Sequence, residues 1–282
     1  MLPFPQLVQY GNTIAYPDPG IVGTITSGTT APGAAAAENR FCGNGQYMYM
    51  TNQVGSQYRY NADANTWSQI TTRPVSTLRN SGIATTPSGN FVLAGGYNNS
   101  GGVGSNRFDS YSPASTTWTQ IGTIPSSTWN VTLISVTDST FYLVHAPSGN
   151  GTGTVFSYWN GSSWTNLTAP GFGGTSNGYY YNGAVYINNN SPRRLMKYTV
   201  STNTWSTAYT MNNTTANPIF CGYNKWIYLW SNANGLYKYN ADTGEGSLVT
   251  SLTSDTRVCV GMNFYNNKLY AMFTNNTIAV VA

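Results

Sequence analysis

The chain has one histidine, His145, in the stretch TFYLVH. A lone imidazole can move a proton or fill one corner of a metal site, but zinc and copper centres draw several nitrogen or sulfur ligands. The three cysteines, Cys42, Cys221 and Cys259, lie far apart, and their odd number argues against a disulfide framework. Acids are equally sparse, with eight Asp and Glu in 282 residues and only Glu38 and Glu245 among the glutamates. None stand in a pairing suited to a general acid and base. Asp242 and Glu245 share one polar turn and are read as solvated. Arg193 and Arg194 are adjacent, but the other Lys and Arg are scattered and the net charge is only +4. That falls short of a nucleic-acid footprint. The inventory predicts no catalytic residues, no metal and no cofactor.

The elements that position these residues follow from a repeat. YNADANTWSQI at 60–70 returns as YSPASTTWTQI at 111–121, YWNGSSWTNL at 158–167, YTVSTNTWST at 198–207 and YNADTGEGSL at 239–248, where Gly246 replaces the tryptophan. The tyrosines at 60, 111, 158, 198 and 239 recur every forty to fifty residues, and one further step lands on Val280. Before each tyrosine lies a short strand-forming run: QYMYM, NFVLAGGY, TFYLVH, AVYIN, KWIYLW or KLYAMF. Before each of these lies another: NRFCG, SGIATT, WNVTLISV, NGYYY, PIFCG or RVCVG. No segment carries a helical period with caps. Each unit reads as a four-stranded antiparallel meander, and six such units bury their faces by packing around an axis. The cysteines then fall on innermost strands, where small apolar side chains fit the crowding.

The Tyr-x-x-x-(Thr/Ser)-x-Thr-Trp openings, with Gly95-Gly96 ending the strand before the second, resemble kelch-type β-propeller repeats over residues 38–282. The resemblance implies an all-β, six-bladed propeller. Kelch propellers range from oxidases to binding scaffolds, so the fold leaves activity open. A kelch copper oxidase needs at least two histidine ligands. ADANTW also resembles the Asp-box of sialidases, with Asp63 at the aspartate, but that box is a structural turn, and a sialidase needs an arginine cluster and a Tyr-Glu pair. The last unit supplies three strands, and IVGTITSG at 21–28 is expected to add the fourth and close the ring. The domain reading is therefore an extended arm, 1–20, and a propeller, 21–282.

Charged residues make up 7% of the chain, where an ordinary domain has about 25%, so solubility rests on Asn, Ser, Thr, Gly and Gln. The opening MLPFPQLVQYGNTIAYPDPG lacks a basic n-region and an unbroken apolar stretch, so it is expected to be neither a signal peptide nor a membrane span. Its prolines suppress regular structure, while Leu2, Phe4, Leu7, Val8, Tyr10, Ile14 and Tyr16 offer apolar surface to a partner. This leader resembles the start of tailed-bacteriophage structural proteins. The resemblance implies a virion component made in the host cytoplasm, contacting other virion proteins through the arm, with copies that can associate on the particle and no membrane insertion. The alternative is an extracellular carbohydrate-binding propeller acting alone. Strand geometry sends the arm out at the end with tight turns and puts the longer connections, 97–106, 145–153, 168–177 and 212–217, at the other. Tyr97, Arg107, His145 and Phe172 are the expected contacts there with a host-surface glycan or protein.

Overall fold

The structure is a computed structural model that describes residues 18–33, 40–52, 55–75, 80–97, 104–128, 131–145, 155–172, 177–190, 193–211, 218–232, 235–251 and 257–282. The chain forms six four-stranded antiparallel sheets in a ring, a six-bladed β-propeller, with no helix among the described residues. Strand β1 (Ile25–Thr30) comes first in sequence and belongs to the last blade. Blade 1 is β2 (Arg40–Asn44), β3 (Tyr47–Thr51), β4 (Gln57–Asn61) and β5 (Thr66–Gln69). Blade 2 is β6 (Gly82–Thr85), β7 (Phe91–Ala94), β8 (Ser105–Ser112) and β9 (Thr117–Thr128). Blade 3 is β10 (Thr132–Ser135), β11 (Phe141–His145), β12 (Val155–Trp159) and β13 (Trp164–Leu167). Blade 4 is β14 (Gly178–Tyr181), β15 (Ala184–Asn190), β16 (Arg193–Thr199) and β17 (Thr204–Thr210). Blade 5 is β18 (Ile219–Tyr223), β19 (Trp226–Ser231), β20 (Gly235–Asn240) and β21 (Gly246–Ser251). Blade 6 is β22 (Cys259–Tyr265), β23 (Lys268–Phe273), β24 (Thr277–Val281) and, outermost, β1.

The first strand of each blade touches the first strands of both neighbours, from β2 round to β22 and back, so these six line the axis. Second strands lie between blades and are buried on both faces. That is why FVLA and FYLVH read as unbroken apolar runs instead of alternating. Outer strands such as TWSTAYT turn one face to solvent.

The repeating Tyr-Trp pair joins the third and fourth strands. Tyr60 packs on Trp67 at 5.1 Å, Tyr111 on Trp118 at 5.3 Å and Tyr198 on Trp205 at 5.2 Å. In blade 3 the partner of Trp164 is Trp159, not the expected anchor Tyr158: the two tryptophans are opposite in register, with rings 5.3 Å apart. Three of the tryptophans also tie blades together. The indole N–H groups of Trp118, Trp164 and Trp205 donate to the carbonyls of Thr71, Thr123 and Thr168, each just beyond or within the outer strand of the preceding blade.

The turn inside YNADANTW is built the same way. The Asn61 side chain accepts from the amides of Asp63 and Ala64, and Asn65 takes a positive φ while accepting from the Tyr60 hydroxyl at 2.8 Å. Asn203 repeats this under Tyr198 at 2.7 Å. The aspartate holds the neighbouring blade, since Tyr265 donates to Asp63 at 3.0 Å and Tyr181 to Asp242 at 3.1 Å. Asp242, expected to be merely solvated, is therefore an inter-blade acceptor.

Ring closure is through β1 on β24, with Ile25 opposite Val281 and Thr30 opposite Thr277. The strand lies a few residues later than the expected 21–28. Gly23 has φ +88, and the amides of Val22, Gly23 and Thr24 converge on the Ala282 carbonyl, so the regular ladder begins only beyond that corner. Residues before it also sit on the ring: Ile21 is buried in the apolar cluster of blades 5 and 6, and Asp18 forms an ion pair with Lys238. The arm residues Leu2, Phe4, Leu7, Val8, Tyr10, Ile14 and Tyr16 lie outside the described residues.

Candidate functional site

Among the described residues two places that gather polar groups stand out. The larger is an axial cavity of about 800 Å3, walled by the innermost strands and by the turns that follow them. These strands pair on one side only, so their free edges offer backbone N–H and C=O groups to the cavity. Its rim carries Asn44, Asn224, Asn263 and Asn267, with Tyr179, Tyr223 and Tyr265 among them. No Asp, Glu, Lys, Arg or His lines it among the described residues. Asn44 donates to the carbonyls of Thr86 and Pro87 across the joint to blade 2, and Asn263 donates to Gly45 across the joint to blade 1. Tyr179 donates to the Asn224 carbonyl at 3.0 Å, and burial pushes its phenol well above the ordinary range.

Cys42 and Cys221 also line the cavity, and all three cysteines are free thiols. Burial pushes the thiols of Cys42 and Cys221 up, so neither is a thiolate nucleophile at neutral pH. Among the described residues no three His, Cys, Asp or Glu side chains stand together as a metal site. The lining can therefore offer a ligand hydrogen bonds and aromatic faces.

The second place is a buried ion cluster at the joint of blades 1 and 2. Arg73, in the connection between them, donates from Nε to Asp109 Oδ2 at 2.6 Å, and the two side chains are 1% and 0% exposed. Its other nitrogens reach the Gly95 carbonyl at 3.2 Å, the Ser81 hydroxyl at 3.4 Å and the Arg107 carbonyl at 3.3 Å. Arg107 closes on the same carboxylate through Nη2 at 2.7 Å and Nε at 3.2 Å. Burial lowers the Arg73 pKa, and Asp109 opposes that shift. Gly95, at φ +63, turns the backbone so that its carbonyl meets the guanidinium, and a Cβ there would lie 2.7 Å from the Thr128 carbonyl.

The four residues expected at the far end of the ring differ in exposure and in partners. Arg107 is committed to Asp109. His145 is 2% exposed, with Nδ1 2.9 Å from the Ser126 hydroxyl. Phe172 is half-buried against Trp205 at 5.8 Å. Tyr97 is half-buried and bridged to Gly104. His145 is therefore buried, whereas Tyr97 and Phe172 each keep part of their surface open. Residue spacing alone does not pick out Arg73 and Asp109. Their signal is a carboxylate in mid-strand, in RFDSY, where alternation calls for an interior side chain. Nor does spacing pick out Tyr223 and Tyr265 as rim residues, since the same Tyr-Asn step occurs at Tyr181-Asn182, which does not line the cavity.

No protein-family model matches the chain. No curated protein sequence matches it either.

Proposed function

We propose that the chain is a non-catalytic kelch-type propeller of a tailed-phage virion, held to other virion proteins by its N-terminal arm and presenting its ring as a decoration or host-attachment module. The observation that carries the non-catalytic part is the uncharged axial cavity, which among the described residues has no carboxylate or imidazole for acid-base work. Support for display comes from the leader's apolar, proline-broken composition and from the sparse surface charge. Asp18 pairs with Lys238 on β20, a third strand well away from the axis, and residues 18–24 are not among those lining the cavity.

A mass-spectrometric inventory of purified particles tests this reading. The chain should be present, and deleting residues 2–17, which leaves the Asp18 and Ile21 contacts in place, should abolish incorporation while the ring still melts cooperatively. Normal incorporation of the truncated chain overturns the arm's role. A second reading, a soluble carbohydrate-binding propeller that works without a particle, draws on the same neutral, aromatic rim and predicts absence from the inventory. Turnover of an oligosaccharide by the pure protein overturns both.

A further inference from the structure

We infer that the turn-side mouth of the axial cavity is a binding site for an uncharged oligosaccharide, built around Tyr223; this rests on the reading of the chain as a non-catalytic binding module. The repetition of the blades is broken at this residue. In blades 4 and 6 the tyrosine ending the innermost strand is clamped to the next blade, Tyr181 by Asp242 and Tyr265 by Asp63. Tyr223 is the equivalent residue of blade 5, and its next blade is the one closed by β1. There the turn that would carry the aspartate is replaced by the meeting of Ala282 with Val22–Thr24. Ring closure thus removes the clamp, and Tyr223 is left 37% exposed at the rim.

Its ring is not loose. It stacks on Phe264 at 4.1 Å with 27° between planes, and the Tyr228 ring lies nearly parallel to Phe264 at 6.2 Å. One aromatic face is therefore fixed from below and the phenol stands at the cavity mouth. A supported, partly open tyrosine suits a flat apolar surface with polar edges, because weakly positive C–H groups settle on the ring face while the phenol hydrogen-bonds. The C–H face of a sugar is such a surface, and its hydroxyls need paired donors and acceptors around it. Asn224 and Asn267 on the same rim supply these, together with the free backbone edges of the inner strands.

Charge decides the ligand class. Moving a carboxylate, sulfate or ammonium into this cavity would strip its water without offering a countercharge, a large penalty. Uncharged hydroxyls lose far less and are repaired by amides. The cavity size falls inside the range of roughly 300–1,000 Å3 typical of small-ligand sites.

Saturation-transfer NMR on the full chain tests the site, using lactose, maltotriose and diacetylchitobiose as probes and sialyllactose as the charged comparison. At least one neutral probe should receive saturation at millimolar concentration, and sialyllactose should bind more weakly than lactose. Tyr223→Ala should weaken the neutral probe about tenfold or more, and Thr85→Trp, which fills the cavity from blade 2, should do the same. Leu248→Ala, an exposed side chain on the outer strand of blade 5, should leave binding unchanged, with melting curves confirming that each variant folds. Absence of transfer to every neutral probe overturns the site, as does binding indifferent to both rim variants or equal binding of sialyllactose. Sugar binding by a chain missing from particles upholds the site and overturns only virion display.

Discussion

The joint between blades 1 and 2 and the joint between blades 4 and 5 occupy the same place in the repeat and are made of opposite materials. The first encloses Arg73, Asp109 and Arg107, with Tyr49 stacked on Phe91 at 4.8 Å beside them. The second is neutral inside: Gly246 stands where blades 1 to 4 have tryptophan, and Tyr209 of the preceding blade reaches into the vacated space to lie 6.0 Å from Tyr239. A blade joint needs a filled volume and satisfied polar groups, and either chemistry meets both needs. They differ in how they fail. An aromatic joint loses contacts in proportion to what is removed, whereas an ionic joint loses its balance when one partner goes.

The largest expected effect breaks the ionic side. Asp109→Ala leaves Arg73 buried with no carboxylate, a situation that costs about 3–5 kcal/mol. Urea denaturation should show the midpoint falling by a corresponding amount with little change of slope. Replacing the pair together, as Arg73→Met with Asp109→Leu, should recover most of that loss, since Arg107 is partly exposed and can turn to water. A double variant as unstable as Asp109→Ala would place the stability in the hydrogen bonds to Gly95 and Ser81 instead of in charge balance. At the other joint, Asp242→Ala removes one exposed hydrogen bond from Tyr181 and should cost no more than about 1 kcal/mol.

An intermediate effect sharpens the neutral side. Gly246→Trp restores the repeated residue, yet a Cβ at Gly246 would already collide with the Tyr209 ring. Overpacking of this kind costs about 1–3 kcal/mol. Combining it with Tyr209→Ala should give a chain more stable than Gly246→Trp alone, a coupling that a double-mutant cycle measures directly. Additive losses would mean that Tyr209 does not occupy the tryptophan's space.

How much of this could be read beforehand depended on how far apart in sequence the partners stand. The blades were legible because Tyr-x6-Trp pairs and apolar second strands are local patterns, and they placed the strands of each unit closely. Tyr158 begins the repeat's lettering, which makes it the expected anchor, but strands alternate with a period of two, and the shorter turn puts Trp159 opposite Trp164. The ion cluster joins residues from three separate stretches, and the cavity rim joins turns from different blades. Neither leaves a short motif. Tyr223 illustrates the limit best: it shares its Tyr-Asn step with Tyr181 and Tyr265, and the position of the ring's seam is what sets it apart.

The smallest expected effect adds a third kind of ionic contact to the comparison, one at the surface. Asp18 pairs with Lys238 at the blade 5 flank, and both side chains remain about one-third exposed. Partial burial raises the Asp18 pKa, but the Lys238 ammonium and the Gly20 amide outweigh it, and the net shift is downward from 3.8. A carboxyl whose folded pKa lies below its unfolded value stabilises the fold above the unfolded value and loses that contribution as pH falls through the folded one. Exposure and screening keep the sum small, about 0.2–1 kcal/mol at low salt. Asp18→Asn should therefore be slightly less stable than the parent chain at neutral pH, and the gap should shrink both in high salt and in acid below 3.8. Chemical denaturation of the two chains across pH measures this. A gap that persists unchanged in acid would show that the substituted amide disturbs the neighbouring Ile21 packing, and that the surface pair itself contributes nothing where the buried one contributes most.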